Sequence, residues 1–151
     1  MSLTLDREWS WTLRHRLPSD VDEAHRTIDR LLAALEEYGW EGRDLFHVRM
    51  AVEEGLVNAI EHGNRRDQGK FVELDFRVAP EFCYVQITDE GAGFCRATLK
   101  PCTDEDCLDK PRGRGVWLIE QLMSETHYNA KGNQLTMWRQ RNDPKLAIAE
   151  D

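Results

Sequence analysis

The chain has 151 residues and a mass of 17.6 kDa, a length that suits one domain able to bury about 68–70% of its unfolded surface. With 40% hydrophobic and 32% charged residues and a mean hydropathy of -0.64, the composition indicates a soluble globular protein and excludes a disordered or membrane-spanning chain. The net charge of -8 disfavours a broad electrostatic surface for nucleic acids or anionic membranes. Because no secretory leader or apolar run near membrane length is recognisable, we expect a cytoplasmic protein.

The first part of the chain predicts one strand and two helices. Apolar and polar residues alternate over 9–17, which is the period of a half-buried strand. Apolar residues then recur at helical spacing from Val21 to about Tyr38, and either of two residues can cap this helix, Ser19 or Asp20. A second helix is expected after Gly42, ending near Gly63-Asn64.

The remainder predicts two hairpins with a helix between them. The elements are strands at 71–78 and 82–89, a long polar loop at 95–112, a helix at 116–123, and strands at 126–130 and 134–139. We therefore expect an α+β fold, a two-layer sandwich in which helices cover one face of a mixed or antiparallel sheet.

Asp89 is the first candidate binding residue. It shares a strand face with Val85 and Ile87, so alternation directs its carboxylate to the buried side, where it needs hydrogen-bond donors. Gly91 and Gly93 follow and permit close backbone approach. This pattern suits recognition of an exocyclic amine such as that of adenine, although an ordinary turn at the end of a strand has the same residues.

A second candidate site is Gly113-Arg114-Gly115, directly before the helix predicted to begin at Val116. Free N–H groups at a helix N-terminus bind anions, and Arg112 adds positive charge for phosphate. A flexible linker with a helix cap would show the same residues. Neither a Walker A loop nor a Rossmann fingerprint is present.

Glu54, Asn58 and His62 form a third feature, a polar line along the second helix at intervals of four residues. The line is either a solvated face or the wall of a ligand cleft. In a cleft, Asn58 would offer a neutral oxygen to Mg²⁺ and Glu54 a carboxylate base.

Taken in order, three segments resemble the conserved boxes of a large ATPase superfamily that includes gyrase, the 90-kDa heat-shock chaperone, histidine kinases and the mismatch-repair ATPase. Residues 54–64 resemble the N box, 89–94 the first glycine box and 113–119 the second. The chain length, the Glu-x-x-x-Asn-Ala form of the N box and the run 111–115 are similar to one branch, the small bacterial anti-sigma factor serine/threonine kinases.

The resemblance implies a histidine kinase-like ATPase fold over 10–141, with a flexible tail at 142–151. It implies an enzyme that uses ATP and Mg²⁺, binds a sigma factor and phosphorylates an anti-anti-sigma partner on Ser or Thr, and that forms a homodimer. The alternative is a non-catalytic nucleotide-binding regulator that sequesters a sigma factor or another signalling protein.

The resemblance also implies roles for individual residues. Glu54 would be the general base, Asn58 the Mg²⁺ ligand and Asp89 the partner of the adenine amine. The other positions expected to contact nucleotide are Gly91, Gly93, Gly113, Arg114, Gly115, Val116 and, through water, Thr136. Trp117 stands where the branch leads us to expect a small residue. Three cysteines fall in the predicted lid, as free thiols or as a redox-sensitive element: Cys95, Cys102 and Cys107.

Overall fold

A computed structural model of the chain describes the backbone of residues 8–91 and 111–147 and the side chains of 8–91 and 115–146. The elements of its first part are β1 (Trp11–Pro18), α1 (Val21–Glu37), α2 (Gly42–Val57) with a π-helical continuation (Asn58–Gly63), β2 (Phe71–Val78) and β3 (Phe82–Thr88). The second part contains α3 (Pro111–Leu122), β4 (Glu125–Tyr128), β5 (Gln134–Gln140) and α4 (Pro144–Ala147).

The five strands form one sheet in the order β1-β2-β3-β5-β4, and each neighbouring pair is antiparallel. Alternate residues of the strands, among them Phe76, Val85 and Met137, are buried with the apolar sides of α1 and α2. Polar residues such as Arg14 and Glu73 occupy the opposite sheet face. The predicted α+β sandwich is thereby confirmed, and its sheet is antiparallel throughout the described part.

The start of α1 is fixed by Asp20, whose carboxylate accepts hydrogen bonds from the N–H groups of Asp22 and Glu23 at 2.8 and 3.3 Å. Asp20 is therefore the capping residue of the two that were possible. The hydroxyl of Ser19 donates instead to the carbonyl of Lys70, 2.8 Å away, and joins the start of α1 to the start of β2.

Two regions differ from the sequence-based prediction. Helix α3 begins at Pro111 and not at Val116, because proline fits the first turn of a helix, where its missing N–H has no acceptor to lose. Residues 142–147, assigned to a flexible tail, include helix α4, and Leu146 and Asp143 are buried. Most of the predicted loop, including its three cysteines, lies outside the described residues. None of the helices within 8–91 and 111–147 has the length and apolar character that a membrane crossing needs.

A buried ion pair holds the helices to the sheet at the end where α2 begins. Arg139 of β5 is 1% exposed, and its Nε and Nη2 donate to Oδ1 of Asp44 at 2.9 and 2.7 Å. Its Nη1 donates to the carbonyl of Leu122 at the end of α3, and Oδ2 of Asp44 accepts the N–H of Asn142 at 3.1 Å. One guanidinium thus joins α2, α3 and β5.

We predict that Asp44→Ala lowers the free energy of unfolding by about 3–5 kcal/mol, because it leaves a buried guanidinium without its counter-charge. Urea denaturation measures the change. The matched control is Glu53→Ala, which removes the exposed Arg49–Glu53 pair and should cost less than about 1 kcal/mol. Equal effects in the two variants would contradict the role given to the buried pair.

Candidate active site

The polar line of α2 lies under α3 and is not a solvated face. Asn58 is 8% exposed and Glu54 is half-buried. Gly115 of α3 lies directly against both: a Cβ atom at this position would be 2.4 Å from Oε1 of Glu54 and 2.6 Å from Nδ2 of Asn58. The structure therefore favours the cleft interpretation, and only glycine permits this approach.

From Asn58 onward the helix widens into π-helical geometry that continues to Gly63. The N–H of Asn64 accordingly reaches back five residues, to the carbonyl of Ala59 at 2.8 Å. Such segments are rare in proteins and frequently occur at functional sites. Here the segment begins at the residue expected to bind Mg²⁺ and ends at Gly63, which contacts Asp89.

Asp89 follows β3 and points toward the helices, as the alternation predicted, and is 6% exposed. Its Oδ1 accepts the N–H of Gly91 at 2.8 Å. A Cβ atom on Gly63 would lie 2.4 Å from its Cγ and Oδ2, and one on Gly91 would lie 2.1 Å from the carbonyl oxygen of Gly63. Two glycines thus allow the helix end and the turn after β3 to meet at the carboxylate.

A small cavity connects Asp89 with Asn58. Its volume is about 20 Å³, close to that of one or two water molecules. Its walls come from α2 and its π-helical continuation, β3, β4, β5 and the turn before β5, and the lining residues are Gly55, Asn58, Ala59, Ile87, Asp89, Tyr128, Gly132, Asn133 and Leu135. A purine can enter only if this cavity opens further. Helix α3 lies against one of its lining residues, Asn58, and against Glu54.

The position of α3 changes the predicted anion site. Gly113 and Arg114 lie in the first turn of the helix, but Gly115 and Val116 lie in the second, where N–H groups donate to carbonyls four residues back. In this conformation Gly115 and Val116 therefore have no free N–H for phosphate. The side chain of Arg114 and all of Gly93 lie outside the described residues.

Thr136 is not part of this cluster. It faces the opposite side of the sheet from Leu135 and Met137, which are buried beneath the helices, and its Oγ1 accepts a hydrogen bond from Nε2 of Gln86 at 3.1 Å. The water-mediated phosphate contact that the resemblance implies for Thr136 stays a prediction. The alternation of β5 accounts for the position of Thr136 on the outer sheet face.

Trp117 stays out of the cleft. Two residues after Gly115 along a helix correspond to a rotation of about 200°, so its ring faces away from Glu54, and it is 38% exposed. The bulky residue at this position does not obstruct the site.

Asn133 belongs to the site and was not among the predicted residues. Its Nδ2 donates to the carbonyl of Asp89 at 2.8 Å, and its own carbonyl accepts the N–H of Asp89 at 2.9 Å. The sequence shows only a Lys-Gly-Asn turn at this position. Because Asn133 and Asp89 are 44 positions apart, no local sequence pattern predicts their contact.

Two other features of the described residues lie outside this cleft. Cys83 is fully buried, and burial raises the pKa of its thiol to about 12, so it stays protonated at neutral pH and is not a nucleophile. A larger groove of about 490 Å³ crosses the outer sheet face between Arg14 and Gln134, and its lining combines Arg14 and Arg16 with Glu73 and Asp75.

Comparisons with known proteins agree with the fold. The family model described as the histidine kinase-like ATPase domain matches residues 17–139. The chain therefore belongs to the histidine kinase-like ATPase domain family, which confirms the superfamily resemblance.

Within this class, three relatives share one name. The chain is 27% identical over 130 residues to the serine-protein kinase RsbW of Staphylococcus epidermidis, covering 81% of this chain and 82% of the relative. It is 27% identical over 115 residues to RsbW of Bacillus subtilis strain 168, covering 72% of each, and 25% identical over 130 residues to RsbW of Staphylococcus aureus strain Newman, covering 81% of this chain and 82% of that protein.

A crystal structure of the RsbU and RsbW domains of a Mycobacterium tuberculosis protein is similar with a TM-score of 0.56 and 19% sequence identity. The similarity covers 87% of this chain and 32% of the other chain, and at this identity it bears on the fold alone.

We predict that Gly91→Ala destabilises the fold by about 1–3 kcal/mol and weakens nucleotide binding, because the new Cβ would overlap the backbone carbonyl of Gly63. Gly69→Ala is the matched control, since its Cβ would meet only a side-chain oxygen of Asp67, at 3.3 Å. Urea denaturation and calorimetric titration with ATP measure both effects. Wild-type behaviour of the Gly91 variant would show that the close contact between the turn and the helix is not required.

Proposed function

We propose that the chain is an ATP-dependent serine/threonine protein kinase that acts as an anti-sigma factor and phosphorylates an anti-anti-sigma partner. The observation that carries the proposal is the arrangement of three side chains: Asn58 and Asp89 line one cavity, and Gly115 lies against both Asn58 and Glu54. The similarity to relatives named serine-protein kinase over most of both chains supports the same activity.

Asp89 is the proposed partner of the adenine base. Its carboxylate is buried, and its Oδ1 accepts the N–H of Gly91. The Cγ and Oδ2 atoms lie beside Gly63, and Asp89 also lines the small cavity. A buried acceptor at that place suits the 6-amino group of adenine, because guanine presents an oxygen at the corresponding position and would be repelled. The carboxylate therefore also selects the base.

Asn58 is the proposed Mg²⁺ ligand. Within the described residues no group of three or more His, Cys, Asp or Glu side chains is arranged to hold a metal. A single carboxamide oxygen beside a carboxylate fits Mg²⁺ nevertheless, because this ion keeps several waters and takes its other ligands from phosphates. When bound, the ion would neutralise charge on the phosphates.

Glu54 is the proposed general base. Glu54 lies one helical turn before Asn58 and on the same side of the helix. If Asn58 faces the phosphate chain of the nucleotide, Glu54 would therefore face its terminal phosphate. Transfer forms a bond between the substrate hydroxyl oxygen and the γ-phosphorus and breaks the bond between that phosphorus and the β,γ-bridging oxygen. The hydroxyl proton passes to the Glu54 carboxylate, and ADP leaves.

We infer that α3 moves during the cycle, because Gly115 of its second turn lies against Glu54, the proposed base, in the described conformation. A shift of this turn would expose Glu54 and free the N–H groups that the resemblance assigns to phosphate binding. A homodimer in the cytoplasm, bound to a sigma factor, remains part of the proposal on the strength of the resemblance.

We predict that Glu54→Gln lowers the rate of phosphotransfer from ATP to the anti-anti-sigma partner by about 10²–10⁴-fold, because the variant lacks the proton acceptor. Binding of ATP with Mg²⁺ should be largely retained. Radiolabel transfer from γ-labelled ATP and calorimetry measure the two quantities. The control is Glu53→Gln, whose side chain pairs with Arg49 at the surface.

The outcomes separate the competing functions. Full transfer activity in Glu54→Gln would refute the base assignment. A wild-type protein that binds ATP and a sigma factor but never labels the partner would instead be the non-catalytic nucleotide-binding regulator.

A further inference from the structure

We propose that Asn64 is a positioning residue for base recognition, which holds the peptide after Asp89 and so sets the direction of the Asp89 carboxylate. The inference rests on the proposed function, in which Asp89 binds the adenine amine. Asn64 is the last residue of the segment that resembles the N box, and the resemblance gives it no role.

The contacts of Asn64 join three parts of the fold. Its side chain is among the most buried polar groups, with the residue 1% exposed. Nδ2 donates to Oγ of Ser19 and to the carbonyl of Phe71, both at 3.0 Å. Oδ1 accepts the N–H of Glu90 at 2.8 Å. One carboxamide therefore connects the end of β1, the start of β2 and the turn that carries Asp89.

The turn after β3 is held from its other side as well. Asn133 bonds the N–H and the carbonyl of Asp89, and the N–H of Phe71 donates to the Glu90 carboxylate. Of these bonds, only the one from Asn64 connects the turn to the helix that carries Asn58, because the N–H of Asn64 closes the π-helical segment on Ala59. Asn64 thus fixes the spacing between the proposed base-binding and metal-binding residues.

This spacing matters because both residues must contact the same nucleotide. If the N–H of Glu90 loses its acceptor, the peptide after Asp89 is held only by the bond from Asn133 to its carbonyl, and the carboxylate is less firmly directed at the base. The charge-assisted hydrogen bond to the amine is then weakened while contacts to the phosphates remain. A hydrogen bond to a charged group corresponds to an affinity change of about ten- to a hundredfold.

The test uses the ratio of affinities for ATP and inosine triphosphate, which carries an oxygen in place of the 6-amino group. We expect Asn64→Ala to weaken ATP binding about tenfold and to leave inosine triphosphate binding nearly unchanged, so that the ratio falls. A purely structural role would weaken both nucleotides alike. Calorimetry gives the affinities, and circular dichroism confirms that each variant is folded.

Two variants control for stability and for loss of the acceptor. Ser124→Ala removes a side-chain hydrogen bond to the N–H of Gln140 at the opposite end of β5, and it should keep the wild-type ratio. Asn64→Asp retains an oxygen for the N–H of Glu90 and should also keep the ratio, while loss of the Nδ2 donor to Ser19 and Phe71 lowers its stability. If Asn64→Ala does not fold, loss of the preference for ATP over inosine triphosphate in folded Asn64→Asp overturns the proposal.

Asp89→Ala, which removes the acceptor oxygens, separates failure of this inference from failure of the proposed function. If a folded Asp89→Ala preserves the preference for ATP, Asp89 does not bind the amine, and both the proposed base recognition and the role of Asn64 fail. If Asp89→Ala abolishes the preference while folded Asn64→Ala retains it, base recognition by Asp89 stands and the positioning role of Asn64 is refuted.

Discussion

Close backbone approach at three glycines is the constraint on which the rest of this structure depends. Gly63 lies against the carboxylate of Asp89 and Gly91 against the backbone carbonyl of Gly63, and Gly115 lets α3 lie on Glu54 and Asn58. A Cβ at any of these positions would come within about 2.1–2.4 Å of another heavy atom. The described conformation of the cleft therefore depends on the absence of side chains at these positions.

The remainder of the fold supplies a rigid frame for this cleft. The sheet aligns the end of β3 with the turn before β5, so that Asn133 holds the main chain of Asp89 from one side. Asn64 holds the following peptide from the helix side. At the other end of the sheet, the Asp44–Arg139 pair joins α2 to β5 and to the end of α3. Helix α3 is thus anchored at its C-terminal end, while its second turn covers the proposed reaction centre.

Much of this arrangement could be predicted from the sequence, because it depends on local periodicity. The alternation in β2 and β3 gave their limits and the inward direction of Asp89. Helical spacing gave α1 and the polar line of Glu54 and Asn58. The order of the glycine-rich segments identified the family, which the family model confirms.

What could not be predicted depends on contacts between distant residues or on departures from regular geometry. Asn64 and Asn133 contact the Asp89 turn across 26 and 44 residues, and neither has a distinctive local pattern. The π-helical segment changes the hydrogen-bond spacing at the end of α2, and α3 begins earlier than predicted. The spacing of apolar residues in the sequence shows neither feature.

A crystal structure with Mg²⁺ and a non-hydrolysable ATP analogue tests the central claim most directly. The account predicts the adenine amine within hydrogen-bond distance of the Asp89 carboxylate, the metal on the side-chain oxygen of Asn58, and the second turn of α3 moved away from Glu54. A nucleotide bound in the groove on the outer sheet face, with Gly115 still against Glu54 and Asn58, would contradict it.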